Sequence, residues 1–350
     1  MTQRLAEHWA KKHEVKVFTR FNSKRKKNVV NGVSISSYGS NNPGSFLSPI
    51  KKYAPDFTLI YSDVFDFFSL SLELPNICVA PCGGNKICAR PHLLKLMKDK
   101  MPKSFLCHCR GERDFKLLNS MGMTDRTYVI PIGIDLEEFD KNEMTREDIL
   151  PKDRKNDIWI LNVSNFFPGK GHLHLLDILS RLKIENLTKG SISYIQVCSS
   201  MEFAIGQHLE QQWRFRAKKL TDAGISVCLM KDKERKKVVA AFKNSNVFVF
   251  PSEKESFGIV TLESMAARLP WVSTSVGIAT EAKGGFCVFA AKNQKYDSIF
   301  EERVFDNFAD KIDKCLKNPS LGEEGRNQVE KEFDWKGVLL PKYDELTYLT

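Results

Sequence analysis

Residues 247–266 read VFVFPSEKESFGIVTLESMA, and this stretch decides the fold. Val247, Phe248, Val249 and Phe250 are four consecutive apolar residues, the mark of a short strand covered on both faces, as in a parallel sheet. Pro251 ends the strand, because proline has no N–H for the ladder. A polar loop with Glu253 and Glu255 follows, and a helix is expected from about Gly258-Ile259 onward. The first N–H groups of such a helix have no intrahelical partner and carry partial positive charge. They can therefore hold a diphosphate. Glu255 sits on the loop and Glu263 about one helical turn inside, where a carboxylate can accept hydrogen bonds from ribose hydroxyls. Taken alone, the two acids read equally well as a helix cap and an ordinary surface glutamate.

Working outward, the same strand–loop–helix rhythm repeats. Strands are expected at 158–163, 193–197, 226–229 and 271–273, with helices at 171–183, 207–222, 234–243 and 259–268. Upstream lies a second series, with strands at 15–19, 33–35, 55–61, 76–80, 104–107 and 128–131. Helices are expected there at 2–13, 91–100 and 111–120. Strands separated by helical stretches give parallel sheets with crossover helices. The stretch 136–157 has no strand pattern and reads as a connection. The expected architecture is α/β, with two Rossmann-like domains facing a cleft. The domains are 1–140, 141–330, and a C-terminal helix over 331–350.

The turn after the strand at 158–163 carries a second signal, Asn165-Phe166-Phe167-Pro168-Gly169-Lys170-Gly171-His172. It places Lys170 at the mouth of the next helix, where an ammonium group can neutralise a diphosphate. A plain strand–turn–helix with a solvated lysine is the alternative reading.

The 350 residues carry a formal charge of +10 and 42% hydrophobic residues. That apolar fraction excludes wholesale disorder. No apolar run is long enough to span a bilayer. The N-terminal residues lack the apolar core of a signal peptide. An odd number of cysteines, 9, without a small-domain framework, points to reduced thiols and a cytoplasmic setting. The charge is gathered at one end: residues 1–50 hold nine Lys/Arg against two Glu. Such a field attracts an anionic membrane surface or a polyanion. The run Lys24–Lys27 and the lysine-rich helix expected over 89–103 are the candidates for peripheral contact with an anionic membrane, although each also reads as an ordinary solvated face. No known nucleic-acid module is present, so nucleic acid is not an expected partner. Cys78, Cys82, Cys88, Cys107 and Cys109 cluster in sequence but lack paired C-x2-C spacing, so no metal site is assigned. No D-x-D, Walker A or G-x-G-x-x-G motif occurs.

Residues 251–277, PSEKESFGIVTLESMAARLPWVSTSVG, resemble the E-x7-E signature of family 4 retaining glycosyltransferases of the GT-B fold. The usual form there is P-S, then E-x-F-G, E-A-M-A and a short G-x-P-V-V strand. Arg268 stands where Gly is typical before Leu-Pro. Residues 277–281, GIATE, stand where G-G-x-x-E is common. The turn at 164–171 is similar to the family's G-R-x4-K-G loop: Lys170 matches the Lys, and the Arg falls on Asn165. Residues 128–139, YVIPIGIDLEEF, resemble the V-I-P-N-G-V-D-x3-F stretch that closes the first domain, with Ile132 in place of Asn. Phe333-Asp334-Trp335 and residues 343–346 resemble the family's closing segment, whose last helix returns to the first domain.

The resemblance implies retaining, metal-independent transfer of a hexosyl group. The donor would be a nucleotide-diphosphate sugar, UDP- or GDP-linked, and the acceptor a glycan or lipid-linked carrier, as in polysaccharide biosynthesis; no other cofactor is implied. Glu255 and Lys170 would be catalytic. Asn165, Lys170, Phe257, Gly258, Ile259 and Glu263 would bind the donor. Gly83 and Gly84 would lie on the acceptor side. Residues 3–12 match the family's first helix, so its first strand and glycine loop are expected to be absent. The histidine after its fourth strand is expected to be absent too. Two other readings therefore stay open: a nucleotide-sugar-binding pseudo-enzyme, and another GT-B enzyme such as a sugar-nucleotide epimerase.

Overall fold

The computed structural model describes residues 2–20, 28–38, 44–62, 77–81, 106–109, 127–150, 152–182, 191–200, 203–255, 257–291 and 299–348, with a few isolated positions between 74 and 122. The chain divides into two compact units. The first is Met1–Gly133 with Trp335–Thr350, and the second is Ile134–Asp334.

The first unit opens with helix α1 (Thr2–Trp9), followed by β1 (Lys16–Arg20), β2 (Val29–Val30), β3 (Val33–Tyr38) and α2 (Gly44–Tyr53). β1 runs parallel to β3, and β2 pairs antiparallel with β3. The β2–β3 turn is Asn31-Gly32, both at positive φ (49° and 82°). That is the pair of conformations a two-residue hairpin matched to strand twist requires. β4 (Thr58–Ser62), β5 (Ile77–Pro81), β6 (Leu106–Cys109) and β7 (Thr127–Val129) form a separate four-stranded parallel sheet in that order. The N-terminal helix ends at Trp9, four residues before its expected limit. The lysine run 24–27, the helix expected over 89–103 and Gly83 and Gly84 lie outside the described residues.

The chain returns to this unit at Trp335. Trp335, Leu339, Tyr343 and Leu346 bury against Leu5 and Ile130. The C-terminal helix Leu340–Leu346 is pinned to α1 by Asp344, whose carboxylate accepts from Trp9 Nε1 and lies 3.0 Å from His8 Nε2. The last helix thus packs on the first domain, as expected.

The second unit begins with α3 (Leu136–Asp140) and then six parallel strands: β8 (Ile158–Val163), β9 (Ile192–Cys198), β10 (Ile225–Lys231), β11 (Val247–Phe250), β12 (Trp271–Thr274) and β13 (Gly285–Val288). Their order is β10-β9-β8-β11-β12-β13. β9, β11 and β12 are buried along their whole length. Helices cover the sheet: α4 (His172–Leu179), α5 (Ala204–Asp222), α6 (Arg235–Asn244), α7 (Ile259–Ala266), α8 (Glu302–Lys317) and α9 (Leu321–Gln328). The strand order reverses between β8 and β11, and in open α/β sheets ligands bind outside the strand carboxyl ends at such a point.

The segment read as a connection, 136–157, is part of this unit. Arg146 fixes it: Nε donates to Asn244 O at 2.9 Å, and Nη1 to Asp157 O at 2.8 Å. Nη2 reaches Asn246 Oδ1 at 2.8 Å, and the guanidinium lies 4.6 Å over the Trp159 ring. Strand β13 and helix α8 have no counterpart among the sequence expectations.

Candidate active site

Two loops meet at the switch point. One leaves β8 and runs through Asn165 to Gly171; the other leaves β11 and runs from Pro251 to Gly258. Glu253 N donates to Gly169 O at 2.7 Å. A Cβ on Gly171 would lie 1.9 Å from Pro251 O, and its φ is +73°. Only glycine permits the loops to touch this closely. Phe166 anchors the first loop from beneath, fully buried against His172 and Trp213. Ile278 N donates to Phe257 O at 2.7 Å and holds the second.

This juxtaposition creates a cavity of about 360 Å³. Its lining includes Ser164 and Asn165 from the first loop, Lys170, and Val197, Cys198 and Ser199 at the end of β9. Lys233, Val238, Phe250, Glu255, Gly258, Ile259 and Val260 complete it. A second depression of about 430 Å³ around Phe289, Arg303 and Asn307 has one charged group, an Arg303 side chain that is 77% exposed. The chemistry-bearing residues are gathered in the smaller cavity.

Within it, Lys170 Nζ donates to Glu255 Oε1 and lies 5.7 Å from the Phe250 ring centre. The Ser252 hydroxyl is 3.1 Å from Glu255 Oε1 and steadies that carboxylate. Asn165 Oδ1 accepts from Ser199 N at 2.8 Å, which leaves the amide NH2 as its group for a ligand. Gly258 caps α7 at φ 80°, and the cavity reaches Gly258, Ile259 and Val260. The first N–H groups of α7 therefore stand beside the Lys170–Glu255 pair, where an anion would meet both an ammonium and a helix N-terminus.

The sequence-derived residues separate into two groups. Asn165, Lys170, Glu255, Gly258 and Ile259 line the cavity together. Phe257 does not: its side chain is buried, and only its backbone serves the loop. Glu263 lies one turn further along α7 and is 7% exposed. Burial pushes its carboxyl above the usual range, opposed by the charge and hydrogen bond of Arg235. Gly83 and Gly84 fall outside the described residues.

Three participants were assigned no role from the sequence. Ser252 supports Glu255, Lys233 adds a second cation to the lining, and Arg235 grips Glu263. Their partners are set by tertiary packing, not by spacing along the chain. His172 and Cys198 are poor candidates for proton or nucleophile chemistry. Burial lowers His172 to about 4, with Nε2 against Asn165 O at 2.8 Å. Burial likewise pushes the Cys198 thiol up to about 11, so it stays protonated at neutral pH. Among the described residues no helix is long and apolar enough to cross a membrane.

Solved structures share this architecture across nearly the whole chain. A glycosyltransferase from Rickettsia africae ESF-5 superposes with TM-score 0.72 at 18% identity, covering 99% of this chain and 93% of that one. A sucrose-phosphate synthase from Thermosynechococcus elongatus gives 0.72 at 16% identity, covering 100% and 93%. HepE of Anabaena, solved in complex with UDP and glucose, gives 0.63 at 15% identity, covering 91% and 87%. These likenesses establish the fold as GT-B. In sequence, 99 residues are 33% identical to CapM of Staphylococcus aureus, a capsular polysaccharide biosynthesis glycosyltransferase. That match covers 27% of this chain and 24% of CapM. A match at 31% identity to sucrose synthase of Solanum tuberosum covers 25% of this chain and 11% of that protein. The chain thus spans about a quarter or less of the curated relatives it matches. The model of the family Glycosyl transferases group 1 matches residues 145–332, more than half the chain and the whole of the cavity, and the chain belongs to that family.

Proposed function

We propose that the chain is a retaining, metal-independent hexosyltransferase of family 4. It moves a sugar from a nucleotide-diphosphate donor to a glycan or lipid-linked acceptor. The observation that carries this reading is the convergence of Lys170, Glu255 and the N-terminus of α7 on one cavity at the switch point. A diphosphate there meets an ammonium group and first-turn N–H groups, aimed at the charge that develops as it departs. Fixed donors of that kind often account for most of the rate enhancement in a transfer reaction.

In this reading Glu263, the second acid of the E-x7-E pair, takes the ribose hydroxyls. Glu255 contacts the donor sugar or its phosphate side. Asn165 offers its amide NH2 to the diphosphate, and Phe257, Gly258 and Ile259 offer backbone N–H groups. The acceptor hydroxyl attacks the anomeric carbon on the face from which the diphosphate leaves. The carbon–oxygen bond to phosphate breaks as the new glycosidic bond forms, and the leaving phosphate oxygen takes the hydroxyl proton. No protein base is required.

The second unit would hold the donor and the first unit the acceptor, with Gly83 and Gly84 on that side. A UDP-linked donor is supported by the Anabaena protein solved with UDP and glucose. A surface-polysaccharide setting is supported by CapM. The excess of Lys and Arg in residues 1–50 suits an anionic carrier at the cytoplasmic face of a membrane.

The test is turnover of a panel of UDP- and GDP-sugars, with and without membrane extract. Products are identified by mass spectrometry and their anomeric configuration by NMR. The expected result is transfer from one donor with the configuration retained. Nucleotide binding without turnover of any donor overturns the enzyme reading, and an inverted product overturns retention.

A further inference from the structure

α6 and α7 pack side by side, and their contact contains a buried ion pair. Every side chain from Thr261 to Ala266 is buried, and Glu263 is the one charged group among them. A buried carboxylate needs a partner. It has Arg235, whose Nη1 donates to Glu263 Oε1. The guanidinium is itself held from two other directions. Its Nε donates to Glu138 Oε2 at 3.0 Å, and it lies 5.8 Å over the Phe139 ring. Three different helices thus fix one side chain: α6 carries it, α7 takes its charge, and α3 braces it.

The pair stands directly behind one wall of the cavity. Ile259 and Val260, one turn before Glu263 on α7, line that wall. So does Val238, one turn after Arg235 on α6. Arg235 holds Oε1 of the carboxylate, so a ligand would meet Glu263 through Oε2.

We propose that Arg235 is a positioning residue for the nucleotide. Braced by Glu138, it holds one oxygen of Glu263 and presents the other to the ribose hydroxyls. This rests on the reading of Glu263 as the ribose ligand. A simple clamp between two helices would stabilise the fold equally well, but it would be indifferent to whether a nucleotide carries ribose hydroxyls.

That indifference is the test. The full chain is titrated calorimetrically with UDP and GDP and with their 2′,3′-dideoxy counterparts. Wild type is expected to bind one ribonucleotide at least about tenfold more tightly than its dideoxy form. In Arg235→Met, shown folded by thermal unfolding, the preference is expected to fall to about threefold or less. Glu138→Gln leaves the cation in place but removes the charge that braces it, and its preference is expected to fall between the two. If Arg235→Met does not fold, Glu138→Gln decides. Wild-type preference retained in the folded variants overturns the role of Arg235 and leaves the ribose reading standing. A wild type that binds both forms alike overturns the ribose reading, and the role of Arg235 with it. No binding of either nucleotide overturns the nucleotide reading as a whole.

Discussion

Lys170 and Glu255 form a direct ion pair across the cavity, joining residues 85 positions apart in sequence. The lysine of the first loop is thus shared with a carboxylate before any donor arrives. A diphosphate must compete with Glu255 for the ammonium. The two residues should therefore respond oppositely when tested by nucleotide binding.

Lys170→Met should weaken UDP or GDP binding by about tenfold or more, because it removes the attraction and leaves Glu255 facing the phosphates. Its transfer rate should fall by about 10²–10³, the scale seen when a fixed donor to a developing charge is lost. Glu255→Gln should bind the free nucleotide as tightly as wild type or more so, because Lys170 is released to it. Its transfer rate should still fall. Calorimetry beside single-turnover rates reads both. Loss of nucleotide affinity in Glu255→Gln would mean that the carboxylate does not compete with the diphosphate.

His172 should shape the acid limb of stability. It is buried, and its folded value of about 4 lies below the ordinary 6.5. The unfolded chain therefore takes up a proton that the folded one excludes. Stability from this group is complete above about pH 6.5 and is lost as pH falls toward 4, by an amount on the order of 3 kcal/mol. His174 is also held below its usual value by burial and adds to the same limb. His172→Phe should make urea-unfolding stability fall less steeply between pH 6.5 and 4, with part of the slope remaining. An unchanged slope would mean that His172 is protonated without unfolding.

Gly171→Ala tests the contact between the loops. The added carbon would meet Pro251 O, a backbone atom, at 1.9 Å. The positive φ adds strain for any side chain. The expected cost is about 2 kcal/mol or more. Nucleotide affinity should fall with it, because Lys170, the neighbouring residue, is displaced from the cavity lining. Denaturant melts and calorimetry on the same sample read the two effects. A variant with wild-type stability would show that the loops do not need this approach.

Much of this fold is written locally. VFVF and IWIL are apolar on both faces because helices cover both sides of the sheet, and a run of that kind is visible in one dimension. The loop that ends in Lys170 and the loop that carries Glu255 are each legible for the same reason: a strand, a turn and a helix start follow one another in the chain. What joins them is not. The contact of Gly171 with Pro251, and of Arg235 with Glu263, depends on which strands lie adjacent, and that is a property of the sheet. Strand β13, GFCV, is hard to see in sequence because three of its four residues are only half-buried and no longer apolar run marks it. Helix α8 does carry a helical stripe of Val304, Phe305, Phe308, Ile312 and Cys315. It lies between the GIATE stretch and the closing Phe333-Asp334-Trp335 segment, where no motif marks it.

Arg326 gives a last test, one that separates burial from charge. Its side chain is 5% exposed, whereas its partners Asp140 and Glu330 are 47% and 44% exposed. Nη2 donates to Asp140 Oδ2 at 2.8 Å and Nε to Glu330 Oε1 at 2.6 Å. Nη1 donates to the buried end of α7, at Ala266 O, at 2.9 Å. Freed carboxylates at that exposure return to water, so losing their ion pairs costs little, about 1 kcal/mol or less each. The Ala266 carbonyl has no such recourse, and leaving it unpaired costs about 1–3 kcal/mol. Asp140→Asn should therefore shift the urea midpoint only slightly. Arg326→Met, which keeps most of the volume but none of the donors, should lower stability by about 2–4 kcal/mol. Equal losses in the two variants would place the stabilisation in the Asp140 ion pair instead of the carbonyl. Because Arg326 holds α7 at the end opposite the phosphate-facing N-terminus, a folded Arg326→Met should retain its nucleotide affinity while losing stability. Only a substitution at the cavity end of the same helix should lower both.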